Sequence, residues 1–172
     1  MKSNKIFLLI FVSSVLLLAG LMWLGKPTGK NAVQDSASAQ KLSASAAMLI
    51  ADPNSFDFGT ISMAKGSVRY TFALKNTSTD SMTAKKLYTS CMCTKASITV
   101  RGDTKGPFGM PGHGFVPSIN ERIEPAEEVA IEAVFDPAAH GPAGVGRIER
   151  SVYLELDSGE EIELRVSAVV TP

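Results

Sequence analysis

Val68-Arg69-Tyr70-Thr71-Phe72-Ala73-Leu74-Lys75 decides the fold. Val68, Tyr70, Phe72 and Leu74 fall on one side of an extended chain and Arg69, Thr71, Ala73 and Lys75 on the other, the period-two pattern of a half-buried strand. Asn76-Thr77-Ser78-Thr79-Asp80 follows as a turn, and its Asn-x-Ser reads as turn chemistry rather than a glycosylation acceptor. The same grammar extends outward in both directions. Upstream, Met48 to Ile50 and Phe56 to Ile61 make a first strand broken at Asp52-Pro53-Asn54. Downstream, Met82 to Thr89 and Ala96 to Val100 are strands, and Val129, Ile131, Ala133 and Phe135 mark another. Val152, Leu154 and Leu156 turn through Asp157-Ser158-Gly159-Glu160 into Ile162, Leu164, Val166 and Ala168. Short alternating runs closed by turn residues, with no long amphipathic helix, predict an all-β antiparallel sandwich of about seven strands.

Two segments interrupt this pattern. Residues 101–118 are rich in Gly and Pro and carry Phe108, Met110, His113 and Phe115, more than a plain connection needs, and are read as an inserted loop. Asp136 to Gly146 is a second irregular loop, in which His140 reads as a turn or surface histidine. Phe108 and Phe115 either form an exposed recognition patch or cover one end of the sandwich. Glu124, Glu127 and Glu128 read as a solvated approach to a strand.

The N-terminal segment places the domain. Lys2 and Lys5 precede an uncharged run of 19 residues from Ile6 to Leu24, which as a helix reaches about 28 Å, one hydrocarbon core. No small-residue cleavage site follows directly, and Leu21 stands where a lipoprotein box would need cysteine. Residues 1–25 are therefore expected to be an uncleaved signal anchor, one transmembrane helix with Trp23 at the outer interface. Residues 26–47, rich in Ser, Ala, Gly and Thr, read as a flexible linker. The domain 48–172 would then sit outside the cell membrane, in an oxidising space. From Met48 onward there are 12 Lys and Arg against 16 Asp and Glu, a charge of −4 that argues against nucleic acid as a partner.

The chemistry concentrates in Ser90-Cys91-Met92-Cys93-Thr94, which holds the two cysteines of the chain. Three readings stay open. In a regular strand, residues two apart share a face with Cα atoms nearly 7 Å apart, at the limit for a disulfide, so a redox pair would be strained. Two thiolates on one face suit a soft ion, copper(I) or zinc, completed by Met92, Met110 or His113. The plainest reading makes both cysteines small buried hydrophobes at a strand end.

Phe56-Asp57-Phe58-Gly59-Thr60-Ile61, Tyr70-Thr71-Phe72 with Lys75-Asn76-Thr77, Ser90-Cys91-Met92-Cys93-Thr94, and Ile123-Glu124-Pro125 before Phe135-Asp136 together resemble the bacterial Ig-like family called domain of unknown function 1573. The resemblance spans Met48 to Val170 and implies an exported Ig-like sandwich acting as a scaffold or adaptor; no general biochemical activity follows from it. Two positions depart from the family pattern: Met92 stands where Gly is usual, and Pro125-Ala126 stands where Pro-Gly is usual.

No Ser-His-Asp spacing, phosphate-cradling glycine loop or paired acid for glycoside cleavage is present. The expectation is a membrane-anchored, extracytoplasmic binding or scaffolding module with a protein partner, and not an enzyme. The alternative is a soft-metal protein binding copper or zinc through Cys91 and Cys93 with Met110 and His113.

Overall fold

A computed structural model describes residues 49–172. The expected membrane span Ile6 to Leu24 and the linker 26–47 lie outside the described residues. Ten strands follow in order: β1 (Leu49–Ala51), β2 (Ser55–Ser62), β3 (Val68–Asn76), β4 (Met82–Thr89), β5 (Thr94–Val100), β6 (Asp103–Phe108), β7 (Glu121–Ile123), β8 (Glu128–Phe135), β9 (Gly146–Leu156) and β10 (Glu161–Thr171). They form two five-stranded sheets, β1-β3-β8-β5-β6 and β2-β10-β9-β4-β7.

The alternation of the opening stretch is realised in β3, where Phe72, Leu74 and Asn76 are buried and Arg69, Thr71, Ala73 and Lys75 are exposed. β8 and β10 keep the same phase, burying Val129, Ile131, Ala133 and Phe135, and Ile162, Leu164, Val166, Ala168 and Val170. Their inward faces make the core between the sheets. Each large side chain buried there contributes roughly 1.5–3 kcal/mol over leaving it in water.

Three expectations need correction. The broken first strand is two strands in different sheets: β1 pairs with β3, and β2 pairs with β10. Asp52-Pro53 lies at the crossing, where proline donates no ladder hydrogen bond. The β2–β10 pairing is parallel, so the second sheet is mixed rather than antiparallel. Residues 101–118 are not all loop. Arg101 and Gly102, both at positive φ, make a two-residue hairpin turn, and β6 returns along β5 as an edge strand. The count rises from about seven to ten through the short β1 and β7 and the edge strand β6.

Asn76 is fully buried and organises the turn after β3. Its Nδ2 donates to the carbonyls of Asp80, Ile123 and Glu124, and its Oδ1 accepts from the backbone N–H and hydroxyl of Ser78. The Asn-x-Ser stretch is thus a structural turn that ties β3 to β7.

Candidate functional site

The cysteines sit where the chain passes from one sheet to the other. β4 ends at Thr89 in the mixed sheet and β5 begins at Thr94 in the other. Residues 90–93 turn between them rather than continuing a strand. Cys91 and Cys93 therefore lie outside the regular strand geometry that would set them at the limit for a disulfide.

Local bonds fix the turn. The Thr94 N–H donates to the Cys91 carbonyl at 3.1 Å, and the Thr89 hydroxyl lies 3.0 Å from the carbonyls of both Cys91 and Thr94. Ser90 and Ser151 exchange two bonds at 2.9 Å, which pins the turn to β9. The Asp136 N–H donates to the Cys93 carbonyl at 2.9 Å and pins it to the end of β8. Met92, at 46% exposure, is not at a positive φ, so the turn does not require a glycine there.

Both thiols are free. Cys93 is buried and Cys91 half-buried, packed with Phe135, Ile148, Ala168 and Val170 in a second small core that also takes in Phe58, Ile61, Met63 and Val68. The loop after β8 brings His140 to Cys91, with Nε2 3.3 Å from Sγ. Asp136 shapes that loop by accepting the Ala138 N–H on Oδ1, and a bond from Gly141 N–H to the Ala138 carbonyl closes the turn that carries His140. From β9, Arg150 Nε donates to Cys93 Sγ at 3.2 Å. The Cys93 N–H points at Cys91 Sγ, 3.4 Å away.

The two thiols differ electrostatically. Burial pushes the Cys91 thiol up, but hydrogen bonds from the Cys93 thiol and N–H, the His140 ring and the charge of Arg150 outweigh it and bring Cys91 down to about 7. Cys93 moves upward, because burial and the Cys91 sulfur together exceed the pull of Arg150 and Thr94. One sulfur is thus readily ionised and outward-lying, and its partner is protected.

Among the described residues, the ligand atoms of Cys91, Cys93 and His140 all lie within 4.8 Å of one another. His113 is not part of that group; it is exposed, and its N–H bonds to the Met110 carbonyl in its own turn. The insert does return to the cysteine end, since the Gly109 carbonyl accepts the Thr89 N–H, and Met110 there is half-buried. It then meets β4 again at Ile119, whose N–H bonds to the Lys85 carbonyl. Phe108 packs on the core, and Phe115 is 89% exposed.

Of the two residues that meet the cysteines, the sequence marks His140 as a turn or surface histidine rather than a ligand and does not mark Arg150. His140 is an exposed turn histidine as expected, yet the turn delivers it to Cys91. Arg150 had a visible signal: it stands between Ile148 and Val152 in the inward phase of β9, opposite buried Val166. A charged residue in that phase needs a partner.

Residues 49–106 match the family model described as Protein of unknown function (DUF1573). This is the family that the sequence motifs resemble. The DUF1573 match runs from β1 into β6 and takes in Cys91 and Cys93, whereas His140 and Arg150 lie beyond it. No curated protein matches the chain. Among solved structures, the chain is similar to a protein of unknown function from Porphyromonas gingivalis W83 (11% identity, TM-score 0.49), over 67% of this chain and 44% of that one. It is also similar to a PapD-like domain of human CEP192 (14% identity, TM-score 0.43, 72% and 85% covered). A third is the CooA pilin subunit of enterotoxigenic Escherichia coli (12% identity, TM-score 0.38, 69% and 91% covered). The chain spans less than half the length of the Porphyromonas protein.

Proposed function

We propose that this chain is a membrane-tethered, extracytoplasmic Ig-like module that binds one soft metal ion, copper(I) or zinc(II), through Cys91, Cys93 and His140. The observation that carries the proposal is the convergence of two sulfurs and an imidazole nitrogen within 4.8 Å of one another. Donors shared by one ion lie roughly 3.5–4 Å apart when metal–sulfur bonds are about 2.3 Å and metal–nitrogen bonds about 2.0 Å. Closing the cluster onto an ion therefore asks for small side-chain adjustments on a turn pinned to β9 and to the end of β8. Thiolate and imidazole donors select copper(I) or zinc over hard cations. Cys91 gives up its proton near neutral pH, and the ion drives off that of Cys93 on binding.

In this reading the domain binds rather than catalyses. The hydrophobic N-terminal run supports the tether, and the cysteine end of the sandwich presents the ion. The test is metal analysis of the full chain, reduced and reconstituted with copper(I) or zinc(II). A single bound ion that disappears in Cys91→Ser/Cys93→Ser is expected; a wild-type chain that stays metal-free would sink the proposal.

One observation favours a protein partner as well: Phe115 stands exposed on the insert. Deleting residues 101–118 would remove β6 from its sheet, so the suitable change is Phe115→Ser. Crosslinks formed in membranes by the wild type should be lost in that variant, and an unchanged pattern would exclude Phe115 as the docking residue.

A further inference from the structure

Two neighbours of the cluster bear on which ion it takes. Arg150 occupies an inward position of β9, paired across to Val166 of β10, and directs Nε at Cys93 Sγ. Its Nη1 donates to the Glu149 carbonyl at 2.7 Å, and among the described residues Arg150 makes no salt bridge with a carboxylate. No carboxylate belongs to the donor group either. Met63 packs in the same small core as both cysteines. A Cβ built on Gly144 would lie 3.3 Å from Met63 Cε and 3.4 Å from His140 Cβ, which places the methionine tip beside the histidine turn.

Resting on the soft-metal reading above, we infer that Arg150 and Met63 make this a centre for monovalent copper(I) rather than for zinc(II). In a partly dry site the charges of the ion and its surroundings must balance. Two thiolates and a neutral imidazole carry two negative charges, and the guanidinium at Cys93 removes one. A copper(I) ion brings the group to neutrality, whereas zinc(II) leaves an uncompensated positive charge where burial makes it expensive. Arg150 therefore acts through Cys93 and sets the charge the ion must match, without itself being a ligand. Met63 adds to the bias because a thioether is soft and uncharged: it suits copper(I) and brings no charge to balance a second positive one. Binding in either case exchanges the thiol protons for the ion and involves no electron transfer.

The experiment titrates the full chain, reduced and metal-free under anaerobic conditions, with copper(I) against a cuprous chelator and with zinc(II) against a zinc chelator. The readout is the ratio of the two affinities. Arg150→Gln should lower the copper-to-zinc ratio about tenfold or more, the scale of one unit charge acting across a few ångströms of partly screened protein. Arg150→Lys, which keeps the charge, should restore it. A ratio unchanged in Arg150→Gln while the wild type binds both ions overturns the inference and leaves the soft-metal reading standing. A wild type that binds neither ion removes both. Met63→Leu, close in volume, provides a second route should Arg150→Gln fail to fold: it should weaken copper(I) and spare zinc(II), and an equal effect on both, or none on copper(I), counts against the inference.

Discussion

At the scale of single residues, the site depends on unequal neighbours for two thiols of one turn. Cys91 has an exposed imidazole, a backbone N–H and a guanidinium charge near it, while Cys93 is buried against β9. In the reduced, metal-free chain, alkylation by iodoacetamide reports the thiolate, so the Cys91 rate should rise with pH through a midpoint near 7. Below that midpoint Cys91 is protonated and slow, and Cys93 should titrate higher. His140→Ala removes one of the bonds that favour the thiolate, so the midpoint should move up. A midpoint unmoved by that change would show that the ring does not act on the sulfur. The cysteines were legible in the sequence as a candidate thiolate pair because their spacing is local. His140 was not, since 49 residues separate it from Cys91 and only the loop after β8 joins them. Arg150 lay between these cases, visible as a charge in an inward phase but without a nameable partner until β9 was placed beside the turn.

Elements show the same division between local and distant information. β3, β8 and β10 were readable because alternation needs no knowledge of the partner strand. The parallel pairing of β2 with β10 was not, because it joins the two ends of the domain and nothing in Phe56-Asp57-Phe58 specifies direction. The insert reads as loop in the sequence because its glycines and prolines hide a hairpin, whose Arg101 ties Glu121, Glu127 and the Arg122 carbonyl together. The departure at Ala126 has a physical consequence. Ala126 sits at φ 62, where glycine is at ease and an L residue with a Cβ is strained by roughly 1 kcal/mol or more. Its N–H is held by the Asn76 carbonyl at 2.9 Å, so the turn cannot relax freely. Ala126→Gly should therefore stabilise the domain by about 0.5–1 kcal/mol, after allowing for the greater chain entropy of glycine when unfolded. Denaturant unfolding measures this, and a lower midpoint would contradict the strain assigned to Ala126.

For the molecule as a whole, two sheets with one main core leave a second small core at the end where β4 crosses to β5 and β8 returns to β9. Strands from both sheets hold that end, so the cysteine turn, the histidine turn and Arg150 are fixed relative to one another by the sandwich itself. In the proposed function this end, and not the insert, holds the soft-metal ion. The most direct measurement is metal stoichiometry of the full chain under reducing conditions for His140→Ala and His113→Ala beside the wild type. A bound ion is expected in the wild type, retained in His113→Ala and lost or greatly weakened in His140→Ala. Retention in His140→Ala together with loss in His113→Ala would contradict it and return the site to the insert.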